Sequence, residues 1–173
     1  IATVLKRAAG KGRTQDGMPW LRQAPPILTC LSLVGKRRRP YPLAWDEQDA
    51  LLRCLPRHLV EPVLFAVNTG CREQEVCGLR WDWEVQVPEL DTSVFVLPDS
   101  ETKTRTERVI VLNSIARRIV DACRASAGSS GYVFSYRGKR LGTLRTSAWR
   151  RAWTHAGLPE DPKVMKGVHN LRH

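Results

Sequence analysis

The stretch Thr69-Gly70-Cys71-Arg72-Glu73-Gln74-Glu75-Val76-Cys77-Gly78-Leu79-Arg80-Trp81 joins a helix end to a short helix that opens on an arginine. Gly70 suits the last turn of the preceding helix, because glycine enters the left-handed region without a Cβ penalty. That helix is read over residues 58–69, where Leu59, Val63, Leu64 and Val67 recur at helical spacing and mark it as mostly buried. Ahead of it, Asp46 and Glu47 suit a helix first turn, Leu51, Leu52 and Leu55 give it an apolar face, and Pro56 closes it. After Gly70, a third short helix is expected from about Arg72 to near Trp81. It sets Glu75 one turn beyond Arg72.

Working outward, Ser93–Leu97 and Arg108–Leu112 are β-rich runs separated by a polar, charged stretch, the pattern of a hairpin with a long tip. Asn113 or Ser114 can cap the next helix, with Ile115, Ile119, Val120 and Cys123 as its face. Gly128–Gly131 reads as a loop and Tyr132–Phe134 as a short extended piece. Thr143–Ala156 reads as a helix with Leu144, Ala148 and Ala152 on one stripe, stopped by Gly157. Pro159 and Pro162 keep the following segment open until His169 begins a new turn. At the front, residues 1–9 look like the end of a helix bearing Val4, Leu5 and Ala8, stopped by Gly10 and Gly12. Residues 11–42 lack periodicity, hold five prolines and carry the basic run Lys36, Arg37, Arg38 and Arg39, which places a boundary near 42. The fold class is therefore mainly α with a small antiparallel β-sheet, an α+β arrangement without internal repeats.

A hydrophobic fraction of 42% over 173 residues excludes wholesale disorder. No apolar run reaches the ~18 residues of a membrane span. The net charge of +11 favours a polyanionic partner. Its distribution is uneven: +8 over residues 1–42, −7 over 43–100 and +10 over 101–173, as expected for distinct faces. Cys30, Cys54, Cys71, Cys77 and Cys123 are scattered and form no C-x-x-C pair, so neither a disulfide framework nor a zinc site is indicated. The first residue is Ile1 rather than Met, and native sequence is expected before it.

Three separated pieces carry a family resemblance. Thr69–Trp81 is similar to the tyrosine-recombinase box T-G-x-R-x-x-E-(apolar)-x-x-L-R-W, with Cys71 and Gly78 at tolerant positions. Thr102-Lys103 followed by Arg108-Val109-Ile110-Val111-Leu112 looks like the hairpin whose tip carries that family's active-site lysine. His169-Asn170-Leu171-Arg172-His173 is similar to the H-x-L-R-H box. The boxes stand in the family's order, and the match spans about residues 43–173. The resemblance to these phage-type integrases implies a catalytic domain over 43–173, incomplete at its carboxy end. It also implies a basic linker over 31–42, and the end of an amino-terminal DNA-clasping helical domain over 1–30.

What the resemblance implies chemically agrees with the residue types. Phosphodiester transfer builds charge on non-bridging oxygens, and fixed guanidinium groups match that geometry with paired hydrogen bonds. Arg72 and Arg172 would clamp the scissile phosphate, and His169 would hydrogen-bond it and assist proton transfer. Lys103, on a mobile hairpin tip, would protonate the departing 5′ oxygen, and Glu75 would orient the arginine or histidine. Lys36, Arg37, Arg38, Arg39 and Arg105 would meet the DNA backbone. The partner would be double-stranded DNA, with a homo-tetramer formed on DNA by the full-length protein. No cofactor, metal or membrane is implied, and the protein would be cytoplasmic, encoded by a bacterium or phage.

The family's nucleophile is a tyrosine downstream of the H-x-x-R box. Tyr41, Tyr132 and Tyr136 all lie upstream of it and read as linker or packing residues, so the polypeptide is expected to bind DNA without cleaving it. A non-catalytic DNA-binding remnant of a mobile element is the competing reading, and a strand-nicking topoisomerase a third. His169 and His173 have the i, i+4 spacing of a zinc-protease helix, but Asn170 stands where that chemistry needs a glutamate. Singly, each residue also has a plainer role. Arg80 reads as a surface charge stacked on Trp81 or Trp83, His58 as packed at a helix start, His155 as exposed, and Trp149 and Trp153 as core or interface.

Overall fold

The computed structural model describes residues 7–22, 39–126, 130–162, 164 and 166–172; for Leu90, His169 and Arg172 it describes the backbone alone. The chain divides into two units, Ile1–Arg37 and Arg38–His173. In the first unit, residues 7–10 are helical, and the Lys11 and Gly12 amides both donate to the Arg7 carbonyl at 2.8 Å. Residues 11–22 have no periodicity, yet they are tied into a loop. Arg13 bridges Pro19, Gly17 turns at φ 77°, and the Trp20 indole donates to the Arg13 carbonyl at 2.6 Å. A Cβ on Gly12 would come within 3.0 Å of the Trp20 ring, so glycine is what lets the ring lie across the chain there.

The second unit begins with two helices that follow their apolar spacing. Helix α1 covers Trp45–Cys54 and buries Leu51; Glu47 in its first turn accepts from the Ala44 amide at 2.9 Å and from the Tyr41 hydroxyl at 2.6 Å. Helix α2 covers Arg57–Thr69, burying Leu59, Val63, Phe65 and Ala66, and ends on Gly70 at φ 65°, whose amide caps the Ala66 carbonyl. Helix α3, Glu73–Cys77, is shorter than its apolar pattern implied. The chain leaves it at Gly78, and Trp81–Trp83 forms a separate 3-10 turn.

Strands β1 (Glu84–Val87), β2 (Thr92–Leu97) and β3 (Arg108–Val111) form an antiparallel sheet in the order β1-β2-β3. The hairpin register sets Phe95 opposite Ile110 and Leu97 opposite Arg108. Phe95, Leu97 and Ile110 face the core, while Val85, Val109 and Val111 face outward, the alternation that the pleat imposes. The Asn113 side chain caps helix α4 (Ser114–Ser126) by accepting the Ala116 amide at 2.8 Å. The buried stripe of α4 is Ala116, Ile119, Val120 and Cys123. Ile115, expected on that stripe, is 41% exposed, because a 3.6-residue period through 119 and 123 passes through 116 instead.

Gly131–Val133 runs beside Leu79–Trp81, with amide bonds of 3.1 and 2.9 Å. The tight hairpin β4 (Ser135–Tyr136) and β5 (Lys139–Arg140) follows, turned by Arg137 and Gly138, both at positive φ. Helix α5 is Ser147–His155, capped by the Thr146 hydroxyl and stopped at Gly157 at φ 69°. The helix expected from Thr143 starts late, and Leu144 is buried outside it. Trp149 and Trp153 are core residues. Helix α1 packs on α5 and α2 on α4. Among the described residues no helix is long and apolar enough to cross a membrane.

Candidate active-site cleft

Gly70 turns the chain so that Arg72 becomes the residue that caps α3, in extended conformation at φ −74°, ψ 153°. The Glu75 carboxylate, one turn on, accepts the Arg72 amide at 2.8 Å and the Arg72 guanidinium at 2.9 Å. It thereby satisfies a helix-start donor that the helix itself leaves open. The same carboxylate accepts Arg108 Nη1 at 2.6 Å, and Arg108 Nη2 reaches the Gly70 carbonyl at 3.3 Å. Glu75 is only 4% exposed. Burial pushes its pKa upward, but the hydrogen bonds from Arg72 and the charges of Arg108 and Arg72 outweigh that and hold it below the ordinary glutamate value of 4.5. Glu75 therefore stays ionised, tying the start of α3 to the start of β3.

Arg72 opens onto a cleft of about 600 Å³. One wall is the Cys71–Glu75 segment, the second is Glu101–Lys103 between β2 and β3, and Arg145, Gly167 and Val168 complete it. Arg72 and Lys103 thus line one cleft, although the sheet hairpin lies between them in sequence. The β2–β3 tip is built around Thr102, which is 6% exposed. Its hydroxyl faces the carbonyls of Asp99 and Thr106, at 3.2 and 2.8 Å, and accepts the Thr106 amide at 3.1 Å. Arg105 turns back at φ 54° with its amide on the Thr102 carbonyl. It is exposed and lies outside the cleft lining.

Beyond Val168 the chain forms a 3-10 turn, Val168–Arg172, in which positions 169 and 172 stand one turn apart. Asn170 anchors this turn. It is fully buried, its side-chain oxygen accepts the Tyr41 amide, its carbonyl accepts the Leu43 amide, and its own amide donates to Gly167. The side chains of His169 and Arg172, and the whole of Lys36, Arg37, Arg38 and His173, lie outside the described residues. Arg39 is exposed and bridges Val164 in parallel.

Three residues in or behind the cleft lining escaped the sequence reading. Arg108 looked like a charged strand start, but the β2–β3 register brings it to Glu75. Glu73 and Arg145 pair at 3.1 Å, and Glu73 also accepts the Leu144 amide at 2.9 Å and the Thr143 hydroxyl. Only the acid-rich start of α3 hinted at such a partner. Gly78 has less room than a tolerant position implies: a Cβ there would stand 2.9 Å from the Arg140 guanidinium and 3.1 Å from the Gln74 carbonyl. Arg80 does not stack on tryptophan. It makes two 2.8 Å bonds to Asp82, and Arg124 is the residue over the Trp81 ring, at 4.5 Å. His58 packs on Tyr136 at 4.3 Å, and His155 is exposed. None of the three tyrosines lines the cleft. Tyr41 donates a hydrogen bond to Glu47, which raises its pKa above the usual 10.0, Tyr132 lies beneath Arg80 and Arg140, and Tyr136 lies beneath Arg137 and His58.

The fold has known counterparts. A lambda integrase(75-356) dimer bound to a COC' core site superposes with a TM-score of 0.63 at 18% identity, over 99% of this chain and 58% of that one. XerH site-specific recombinase, in a post-cleavage complex with palindromic difH substrate, gives 0.60 at 13% identity over 98% and 51% of the two chains. XerA recombinase gives 0.54 at 20% identity over 78% and 47%. The chain spans about half the length of these proteins, and at such identities the likeness is one of fold. None of the curated proteins matches it in sequence. Residues 44–173 match the model of the phage integrase family, and with the tyrosine-recombinase fold over that same span the chain belongs to this family.

Proposed function

We propose that this chain is part of a site-specific DNA recombinase that breaks and rejoins a phosphodiester through a phosphotyrosine link. The observation that carries the reading is the shared cleft of Arg72 and Lys103, with Arg72 held from behind by a buried, ionised Glu75. Arg72 and Arg172 bind the non-bridging oxygens of the scissile phosphate, and His169 hydrogen-bonds the same group. The tyrosine oxygen, passing its proton to His169, attacks phosphorus as the bond to the 5′ oxygen breaks, and Lys103 gives that leaving oxygen its proton. Glu75 fixes the Arg72 rotamer. Lys36, Arg37, Arg38, Arg39 and Arg105 contact DNA backbone, and the full-length enzyme works as a homo-tetramer on duplex DNA.

Residues 1–173 by themselves bind DNA without cutting it. The placement of all three tyrosines away from the cleft supports this. Affinity for duplex DNA should fall steeply with salt, with a log–log slope near −0.9 per neutralised phosphate. A flat salt response removes the DNA reading. In a full-length version, Arg72→Ala and Arg172→Ala should abolish cleavage while sparing most duplex binding, and wild-type rates in either would refute the cradle. A covalent adduct formed by residues 1–173 on a nicked duplex would overturn the binding-only assignment.

A further inference from the structure

Arg145 is held on three sides. Its Nε meets the Glu73 carboxylate at 3.1 Å, and the same carboxylate grips the Leu144 amide at 2.9 Å, so the residue is fixed by backbone and side chain together. Its stem lies against Gly167, where an added Cβ would stand 3.3 Å from the Arg145 Cδ. Its side chain is nonetheless 61% exposed and lines the cleft that holds Arg72 and Lys103. Here the acid takes the Nε edge and the glycine makes room for the stem, so the guanidinium is presented at the cleft wall in a fixed orientation. A guanidinium fixed in this way pays little entropy when it meets an anion.

We propose that Arg145 is a further DNA-phosphate ligand of this cleft and that Glu73 is its positioning residue. The inference rests on the reading of the cleft as a phosphate site and adds to it a contact contributed by the segment before α5. Because Gly167 also precedes the turn bearing positions 169 and 172, the Arg145 stem and that turn share one wall.

The sign of one substitution separates this from general electrostatics. Glu73→Gln removes a negative charge beside a polyanion, and by charge alone it tightens binding. If Glu73 positions Arg145, the same change weakens binding.

The test is fluorescence anisotropy of residues 1–173 with a random-sequence duplex of about 30 base pairs, titrated with salt, each variant first checked for a cooperative melt. Arg145→Ala should make the log–log slope shallower by about 0.9 and weaken binding about eightfold at 0.1 M salt, since 10 raised to 0.9 is about eight. Glu73→Gln should weaken binding in the otherwise unchanged chain, yet not weaken it further in the Arg145→Ala background. Should Arg145→Ala fail to fold, Arg145→Lys replaces it, and Glu73→Gln should again cause no further loss there. A steep wild-type slope that Arg145→Ala leaves unchanged, or a Glu73→Gln that tightens binding, overturns this inference alone. A flat wild-type response instead overturns the DNA reading on which it rests.

Discussion

Glu75→Gln tests the buried acid that organises the cleft. The substitution keeps the shape of the side chain and removes its charge. With its oxygen in the place of Oε2, the glutamine still accepts the Arg72 amide and Arg108 Nη1, but its NH₂ then faces Arg72 Nη1, so of the three bonds one ionic bond is lost and the other two weaken. Hydrogen bonds to charged groups contribute about 1.5–3 kcal/mol. The Arg72 and Arg108 side chains are 43% and 32% exposed and can rehydrate, so the lower part of that range applies, a loss of about 2 kcal/mol. For a domain of this size that corresponds to a melting point lower by about 6–10 °C. Because the folded pKa of Glu75 lies below the ordinary 4.5, its contribution is complete above that value and is lost as pH falls through the lower folded value. The gap between wild type and variant should therefore be full at pH 7 and narrow below pH 4.5. Circular-dichroism melts across that range measure it. A variant melting within 2 °C of wild type at pH 7, or a gap that persists unchanged in acid, would refute the assignment of an ionised, doubly paired Glu75.

Thr102→Val leaves the Thr106 amide without its acceptor and should cost about 1–2 kcal/mol, while amide exchange across residues 102–107 accelerates. Unchanged exchange there would mean that the hydroxyl does not hold the Lys103 tip. Burial pushes the Cys77 and Cys123 thiols up to about 12, so at pH 8 iodoacetamide should modify exposed Cys54 and spare both; peptide mass mapping that finds Cys77 or Cys123 alkylated as fast as Cys54 would contradict that burial.

The parts of the fold that could be read in the chain were those whose signal is local. Residues 45–54 and 57–69 carry helical periodicity, a proline stop and a glycine turn, and they fold accordingly. The β2–β3 hairpin announced itself through its β-branched runs. Strand β1 was not placed, because four residues alternating charge, valine, glutamine and valine look like any exposed connection until β2 pairs with them. The β4–β5 hairpin has two-residue strands, too short for any period to show. Leu144 was drawn into α5 by its apolar character, whereas Glu73 holds residues 143–145 in the segment ahead of the helix. The cleft divides in the same way. Arg72 and Glu75 are one turn apart and legible as a pair, while Arg108 and Arg145 meet their acids through strand register and tertiary packing, which no local pattern encodes.

The described ionisable lining of the cleft is balanced: Arg72, Lys103 and Arg145 against Glu73, Glu75 and Glu101. If this cleft takes a phosphate as proposed, a site with no net charge works only where the two signs are separated in depth, and here they are. Glu75 and Glu73 have side chains 3% and 17% exposed, whereas those of Arg72 and Arg145 are 43% and 61% exposed and Lys103 is exposed. Glu101 alone of the acids stands at the rim. Cations crowded without acids would repel one another and spread over many rotamers. With a carboxylate behind each guanidinium, the positive ends are fixed outward and the repulsion is offset where it is strongest, in the less hydrated interior. On the proposed reading, such a cleft would meet a phosphate with oriented donors rather than with excess charge, which is why removing either acid is expected to loosen the site instead of making it more attractive to DNA.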